Sequence, residues 1–220
     1  MRKFIVLLLF IFFICGCARL PATRIKYMPL DSIDPLNYTL EFTQRIPERM
    51  EVVNSIVFQY KWRSFTALGL TYLNIKEKTF VVSCMSPVGV KLFELIGDKD
   101  SVKANFVLKE LLQRGDLPKA VGEDIRRIYF DNKPLQDSFI KKDRYRIIYT
   151  ENKDTGVTKY IFAGIPSRLI EKRYYEAGRN IWSVYYYDYR LVQGKLYPAY
   201  CLLKNYKFGY KLFTRIKEIR

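Results

Sequence analysis

The sequence predicts a mainly β protein with a helical insertion, an α+β class built on antiparallel strands. Three observations carry this expectation. β-branched and aromatic residues alternate with polar ones from Tyr38 to Leu95 and again after Pro134. Between about 101 and 129 the apolar period becomes that of a helix. The breaks between strand-like runs are rich in turn residues, and several are too short for the crossover helices that parallel strands need.

The chain begins with the basic pair Arg2 and Lys3, an apolar run from Phe4 to Ile14, and then Ile14-Cys15-Gly16-Cys17. These are the three parts of a bacterial secretory signal, with a cysteine at the cut. A lipoprotein signal needs a branched apolar residue three before that cysteine, a small residue just before it, and a thiol to carry diacylglycerol. Ile14, Gly16 and Cys17 meet those needs, and Cys15 reads as a small residue that leaves with the signal. The apolar run is far short of the roughly 20 residues that cross a bilayer. Residues 1–16 therefore read as a signal peptide and Cys17 as a lipidated membrane anchor, placing the protein in the bacterial envelope. Ala18, rather than Asp, is compatible with sorting to the outer membrane, facing the periplasm.

The chain carries 38 basic against 22 acidic side chains, a formal charge of +16, and the signal peptide removes only Arg2 and Lys3. Such a balance favours an anionic partner. With an aromatic content of 16%, a cytosolic chain of this kind would suggest nucleic acid. Export redirects the expectation from nucleic acid toward anionic lipid head groups or lipopolysaccharide, although a solvated basic exterior needs no partner at all. The sequence contains no histidine, which removes Ser-His-Asp triads, Cys-His dyads and histidine-ligated zinc sites. Beyond the signal region the cysteines are Cys84 and Cys201, both in apolar surroundings. Their spacing leaves both a disulfide and two buried thiols open.

Residues 17–37 contain Pro21, Pro29 and Pro35 without an apolar period, the composition of an extended tether. Ile25, Tyr27, Met28 and Leu30 are apolar enough for part of it to dock. The folded domain is expected over 38–220. Its first strand is read at Tyr38-Leu40-Phe42, followed by runs at 50–62, 65–75, 79–85 and 91–96. Ser101 is a candidate cap for a first helix carrying Val102, Phe106, Leu108, Leu111 and Leu112 and ending at Gly115. Asp116 is a candidate cap for a second, with Leu117, Val121, Ile125 and Ile128 on one face and Pro118 in its first turn. Strands resume at 144–150, 157–163, 168–176, 181–190, 195–204 and 208–219, with Gly156, Gly178, Gly194 and Gly209 near the turns. The count is about eleven strands.

A lipoprotein signal, a short tether, five strands, a helical insertion and a long terminal meander together resemble the LolA/LolB family. A local stretch is similar too. Ser86-Pro87-Val88-Gly89-Val90-Lys91-Leu92-Phe93, preceded by Phe80-Val81-Val82-Ser83 and followed by a helix near Leu117-Pro118 with Asp124-Ile125, resembles a segment of LolB-related outer-membrane lipoproteins, some of them linked to aryl-polyene pigment gene clusters. The resemblance implies a curved antiparallel half-barrel with helices across its concave face. It also implies a hydrophobic ligand, an acylated lipid, lipoprotein or polyene-type molecule, held between sheet and helices and not chemically altered.

Residues for such a cavity follow from period-two alternation: Phe58, Tyr60, Trp62, Leu68, Leu70 and Tyr72 from the early strands, with Trp182, Val184 and Tyr186 from the late ones. The same side chains would equally fill an ordinary core. The clusters Tyr174-Tyr175 and Tyr185-Tyr186-Tyr187, beside Arg168, Lys172, Arg173 and Arg190, offer a second reading, a basic and tyrosine-rich face that docks an envelope partner. No catalytic residue, metal ligand set or cofactor is indicated. Asp98-Lys99-Asp100, Glu123-Asp124 and Asp131 are expected in exposed loops without a companion base, and Gly89 lacks the spaced glycines of a phosphate loop.

Overall fold

The computed structural model describes residues 27–113 and 115–219. The signal peptide, Cys17 and the tether as far as residue 26 lie outside the described residues. The elements in chain order are α1 (Pro35–Arg45), β1 (Arg49–Tyr60), β2 (Arg63–Asn74), β3 (Thr79–Met85), β4 (Lys91–Gly97), β5 (Val102–Val107), α2 (Lys109–Leu112) and α3 (Leu117–Tyr129). There follow β6 (Phe139–Lys142), β7 (Ile147–Lys153), β8 (Gly156–Ala163), β9 (Arg168–Glu176), β10 (Arg179–Val192), β11 (Lys195–Asn205) and β12 (Tyr210–Ile219).

The twelve strands form one open antiparallel sheet in the order β5-β4-β3-β2-β1-β12-β11-β10-β9-β8-β7-β6, a curved half-barrel. Two meanders meet where β1 pairs with β12, Tyr60 standing opposite Tyr210. The sheet edges are β5 and β6, and the segment joining them in sequence is α2 and α3. The helical insertion thus carries the chain from one edge of the sheet to the other. On that path α3 packs on β5 and on the central strand β11.

Three elements depart from expectation. Residues 35–45 are helical, not a strand, because Asp34 accepts a hydrogen bond from the Asn37 amide and Pro35 occupies the first turn. Tyr38 and Phe42 are buried four residues apart, while Leu40 between them is exposed. The alternation that suggested a strand is equally one side of a helix. Residues 102–107 form β5, because the Asp98 carboxylate accepts from the amides of Asp100 and Ser101 and turns the chain back onto β4. Only the short α2 remains of the first expected helix. Strand β6 is an addition to the expected set, short and with few buried positions.

One hydrophobic core runs between the sheet and the helices. It joins Tyr38 and Phe42 of α1 and Ile125, Ile128 and Tyr129 of α3 to inner-face residues such as Phe80, Leu95, Phe162, Val184 and Leu203. Close approach is built into α3, because a Cβ at Gly122 would overlap the Val102 side chain on β5. The second half of the expected tether is only partly extended. Leu30 is fully buried and its amide donates to the Arg144 carbonyl at 2.8 Å, while Tyr27 and Met28 are exposed. Cys84 and Cys201 are free, buried thiols.

Candidate functional site

Register decides which side chains face the helices. In β10 the residues Trp182, Val184 and Tyr186 stand opposite Asn205, Leu203 and Cys201 of β11 and point to the inner face. Val184 and Tyr186 are buried, and Trp182 packs partly buried against the same core. Phe58 also lies on this face, its ring 5.1 Å from that of Tyr210. Tyr60 sits at the rim, and Trp62, in the turn after β1, is 83% exposed.

Leu68, Leu70 and Tyr72 lie on the outer face. The two-residue turn at Lys61 and Trp62 sets Tyr60 opposite Arg63, so even-numbered residues of β1 share a face with odd-numbered residues of β2. The inner-face residues of β2 are therefore Phe65, Ala67, Gly69, Thr71 and Leu73, with Ile56 of β1 lying over Gly69. The middle of β2 thus offers the small residues Ala67, Gly69 and Thr71 to the concave face, where Leu68 and Leu70 were expected. A groove of about 620 Å³ opens at the far ends of β1, β2 and β3, where Met50, Leu73 and Phe80 meet Tyr72, Val81 and Ile96, with Arg49 and Glu77 at its border. Its size lies within the range of small-molecule sites.

The inner face is not wholly apolar. Lys172 of β9 is buried, and its ammonium donates to the Phe130 carbonyl at 2.8 Å and to Asn132 Oδ1 at 3.0 Å. Asn132 Nδ2 in turn donates to the carbonyls of Ile128 and Tyr129, closing the end of α3. The Tyr186 hydroxyl donates to the Ile128 carbonyl at 2.8 Å. Orphan carbonyls at a buried helix end need such donors, and here the sheet supplies them. Burial pushes the Lys172 amine down to about 7, against the pull of Asp131. The outward basic residue expected at Lys172 is corrected accordingly: Arg173, its neighbour, is the one that faces out.

Two carboxylates complete the polar lining. Asp124, expected in an exposed loop, is on the sheet-facing side of α3 and buried. It accepts from the Tyr210 hydroxyl at 2.7 Å and from Arg127 at 2.9 Å. Burial raises its carboxyl to about 6, with Tyr210 and Arg127 acting in the other direction. Glu151 of β7, 3% exposed, accepts from the Leu135 amide at 2.9 Å and the Tyr160 hydroxyl at 3.2 Å. At the other helix, the Tyr38 hydroxyl donates to the Gly164 carbonyl and Tyr149 to the Pro35 carbonyl, the latter at 2.5 Å. Each helix is held by a handful of polar contacts around an aromatic surface. Sequence reasoning placed Lys172 on a basic outer face and missed Glu151 and Asn132; Lys172 stands between Glu171 and Arg173, and Glu151 beside Asn152 and Lys153, so nothing local marks either as buried.

The outer face is chemically different. Tyr185 and Tyr187 stack with centroids 6.4 Å apart, Lys204 lies 5.0 Å from the Tyr185 ring, and Arg215 lies 5.1 Å from Tyr200. Among the described residues no three His, Cys, Asp or Glu side chains are placed to hold a metal, and no helix is long and apolar enough to cross a membrane.

No protein-family model and no curated protein sequence matches the chain. Solved structures do. A Vibrio parahaemolyticus domain described as an outer membrane lipoprotein-sorting protein superposes with a TM-score of 0.51 at 12% identity, covering 84% of this chain and 91% of that one. A DUF1329 family protein from Desulfovibrio piger gives 0.53 at 11% identity, covering 84% and 90%. A LolA superfamily protein from Nitrosomonas europaea aligns at 10% identity over 84% and 92%, with a TM-score of 0.48. The fold is LolA/LolB-like.

Proposed function

We propose that this chain is a lipid-anchored envelope protein that binds a hydrophobic molecule between the inner face of its half-barrel and the helices α1 and α3, and holds or delivers it without chemical change. The observation that carries this reading is the insertion itself. It joins the two open edges of the sheet and covers an aromatic inner surface that a closed barrel would bury by strand pairing alone. The polar fastenings of α3 are few, at Lys172, Tyr186 and Tyr210 and, through Arg126, at the Asp98 and Ser101 carbonyls, so an acyl or polyene chain entering beneath it displaces apolar contacts before polar ones. An envelope location is consistent with the lipoprotein-sorting description of one structural relative, and Cys17 is the proposed anchor.

A test uses the indole of Trp182 at the edge of this core. In a Trp62→Phe background Trp182 is the sole tryptophan, and long-chain fatty acids carrying bromine should quench it saturably. Val184→Trp, which puts a larger ring beside Tyr186 in the proposed site, should abolish binding of the same acids, followed as retention of labelled acid. Absence of saturable quenching contradicts the reading.

The outer face supports a second reading, an interaction lipoprotein whose basic, tyrosine-rich surface docks an envelope partner. Its specific support is the set Tyr185, Tyr187, Tyr200, Lys204 and Arg215 described above. Crosslinking from these positions separates the two, because a partner retained in Val184→Trp favours docking over carriage.

A further inference from the structure

Two neighbouring hairpins present large apolar side chains to water at the very tips of their turns. Trp62, between β1 and β2, is 83% exposed, and Phe208, between β11 and β12, is 58% exposed. Tyr60, Phe65 and Tyr206 beside them are each more than two-fifths exposed. The tips adjoin, since β1 and β12 pair with Tyr60 opposite Tyr210. Hairpin turns of this kind are ordinarily filled by Asn, Asp or Gly, so a tryptophan and a phenylalanine at their apices serve no need of the turn.

A cation accompanies three of these rings. The Arg63 guanidinium lies 4.9 Å from the Trp62 ring centre, the Lys61 ammonium 5.4 Å from Tyr60, and the Lys207 ammonium 6.0 Å from Phe208. No acidic residue occurs between Glu51 and Glu77, or between Asp188 and Glu218. Both hairpins therefore carry only cationic charges from Val52 to Asn74 and from Lys195 to Lys217, the stretches that include the two tips. Amphipathic rings seek the level of lipid head groups, and Lys and Arg are drawn to an anionic leaflet.

We propose that the paired tips Tyr60–Arg63 and Tyr206–Phe208 dock on an anionic lipid surface, inserting Trp62 and Phe208 at head-group depth. The proposal is independent of what the inner face carries. It is also separate from the route of the N-terminal segment. Leu30 and Lys142 tie that segment to the β6–β7 turn, through Leu30 N to Arg144 O and Lys142 Nζ to the Asp31 and Ile33 carbonyls, each at 2.8 Å. Strand direction alternates across the sheet, so this turn lies at the opposite end of the strands from the two tips. A domain tethered through its N-terminus thus has a second, non-covalent contact to offer a bilayer.

Because the apolar run Phe4 to Ile14 can itself hold the full chain on vesicles, the readout is the surroundings of Trp62 and not sedimentation. The full chain is added to vesicles of phosphatidylethanolamine and phosphatidylglycerol with brominated acyl chains, and Trp62→Phe supplies the Trp182 baseline. Trp62 emission is expected to shift to the blue, to be quenched by bromine and to be shielded from acrylamide. The neutral variant Lys61→Gln/Arg63→Gln/Lys207→Gln should weaken tip docking roughly a hundredfold, from the loss of three surface charges, and leave Trp62 water-exposed on the same vesicles. Trp62 that stays open to acrylamide on anionic vesicles, or that is equally quenched in the neutral variant, overturns the proposal. So does shielding of Trp62 that requires a protein partner.

Discussion

The Lys172 ammonium on β9 donates to the Phe130 carbonyl at the end of α3, across 2.8 Å of the buried inner face. Together with the bond from the same ammonium to Asn132, it ties the end of the helical lid to β9, and it makes that joint sensitive to pH. The Lys172 amine is held near 7 against an ordinary 10.5, with burial as the main cause. Between those values the unfolded chain binds a proton that the folded chain lacks, so stability rises with pH across that window. Below about 7 both states are protonated and the full burial penalty stays. Lys172→Met should flatten the rise, which amounts to a few kcal/mol, on the order given by the size of the shift. Urea denaturation at a series of pH values checks it, and an unchanged slope in the variant contradicts it. Asp124, raised to about 6, acts in a separate window with the opposite sign, stability falling as pH rises from about 4 to 6.

Tyr186→Phe removes the hydroxyl that donates to Ile128 while keeping the ring. The expected cost is about 1–2 kcal/mol, since a buried carbonyl loses a donor. Hydrogen exchange should quicken most at the C-terminal turn of α3, whereas uniform quickening throughout the sheet would place the effect elsewhere.

Gly122→Ala should destabilise the protein by about 1–3 kcal/mol through overpacking against Val102. The position is a test of how tightly α3 lies on β5. A neutral result in chemical denaturation would mean that the helix shifts without cost.

Asp34→Ala deletes the side-chain cap of α1 and should cost about 1 kcal/mol. The loss should appear as faster exchange in residues 37–43, with the sheet amides unaffected.

Burial pushes both thiols, Cys84 and Cys201, up to about 12. Thiol reagents should therefore label these two residues slowly in the native chain and at once in the unfolded one, read by peptide mapping. Labelling of Cys201 that accelerates in Tyr186→Phe, while Cys84 stays slow, would report local lifting of α3.

The class of fold was legible because alternation, turn chemistry and the change of period at the insertion agree. The errors came where one pattern serves two structures. Tyr38, Leu40 and Phe42 alternate as in a strand, yet Tyr38 and Phe42 are also four apart, and the Asp34-Pro35 start decides for a helix. Val102 and Phe106 fit a helix period, but the Asp98 turn returns that segment to the sheet. At the candidate site, alternation within one strand leaves its absolute facing open. The register of the Lys61–Trp62 turn places Leu68, Leu70 and Tyr72 outside, while Trp182, Val184 and Tyr186 lie within. The burial of Lys172, Asp124 and Glu151 was not legible, because it depends on partners in distant elements that no local pattern records.

The central claim is that the space between α1, α3 and the sheet accepts a hydrophobic molecule. Native mass spectrometry of the chain freed from detergent, with solvent extraction of its contents, addresses it directly. The account predicts a bound or exchangeable lipid-like species in the wild-type protein that is absent from Val184→Trp, and a protein that carries none, and takes up none when offered acyl chains, would contradict it.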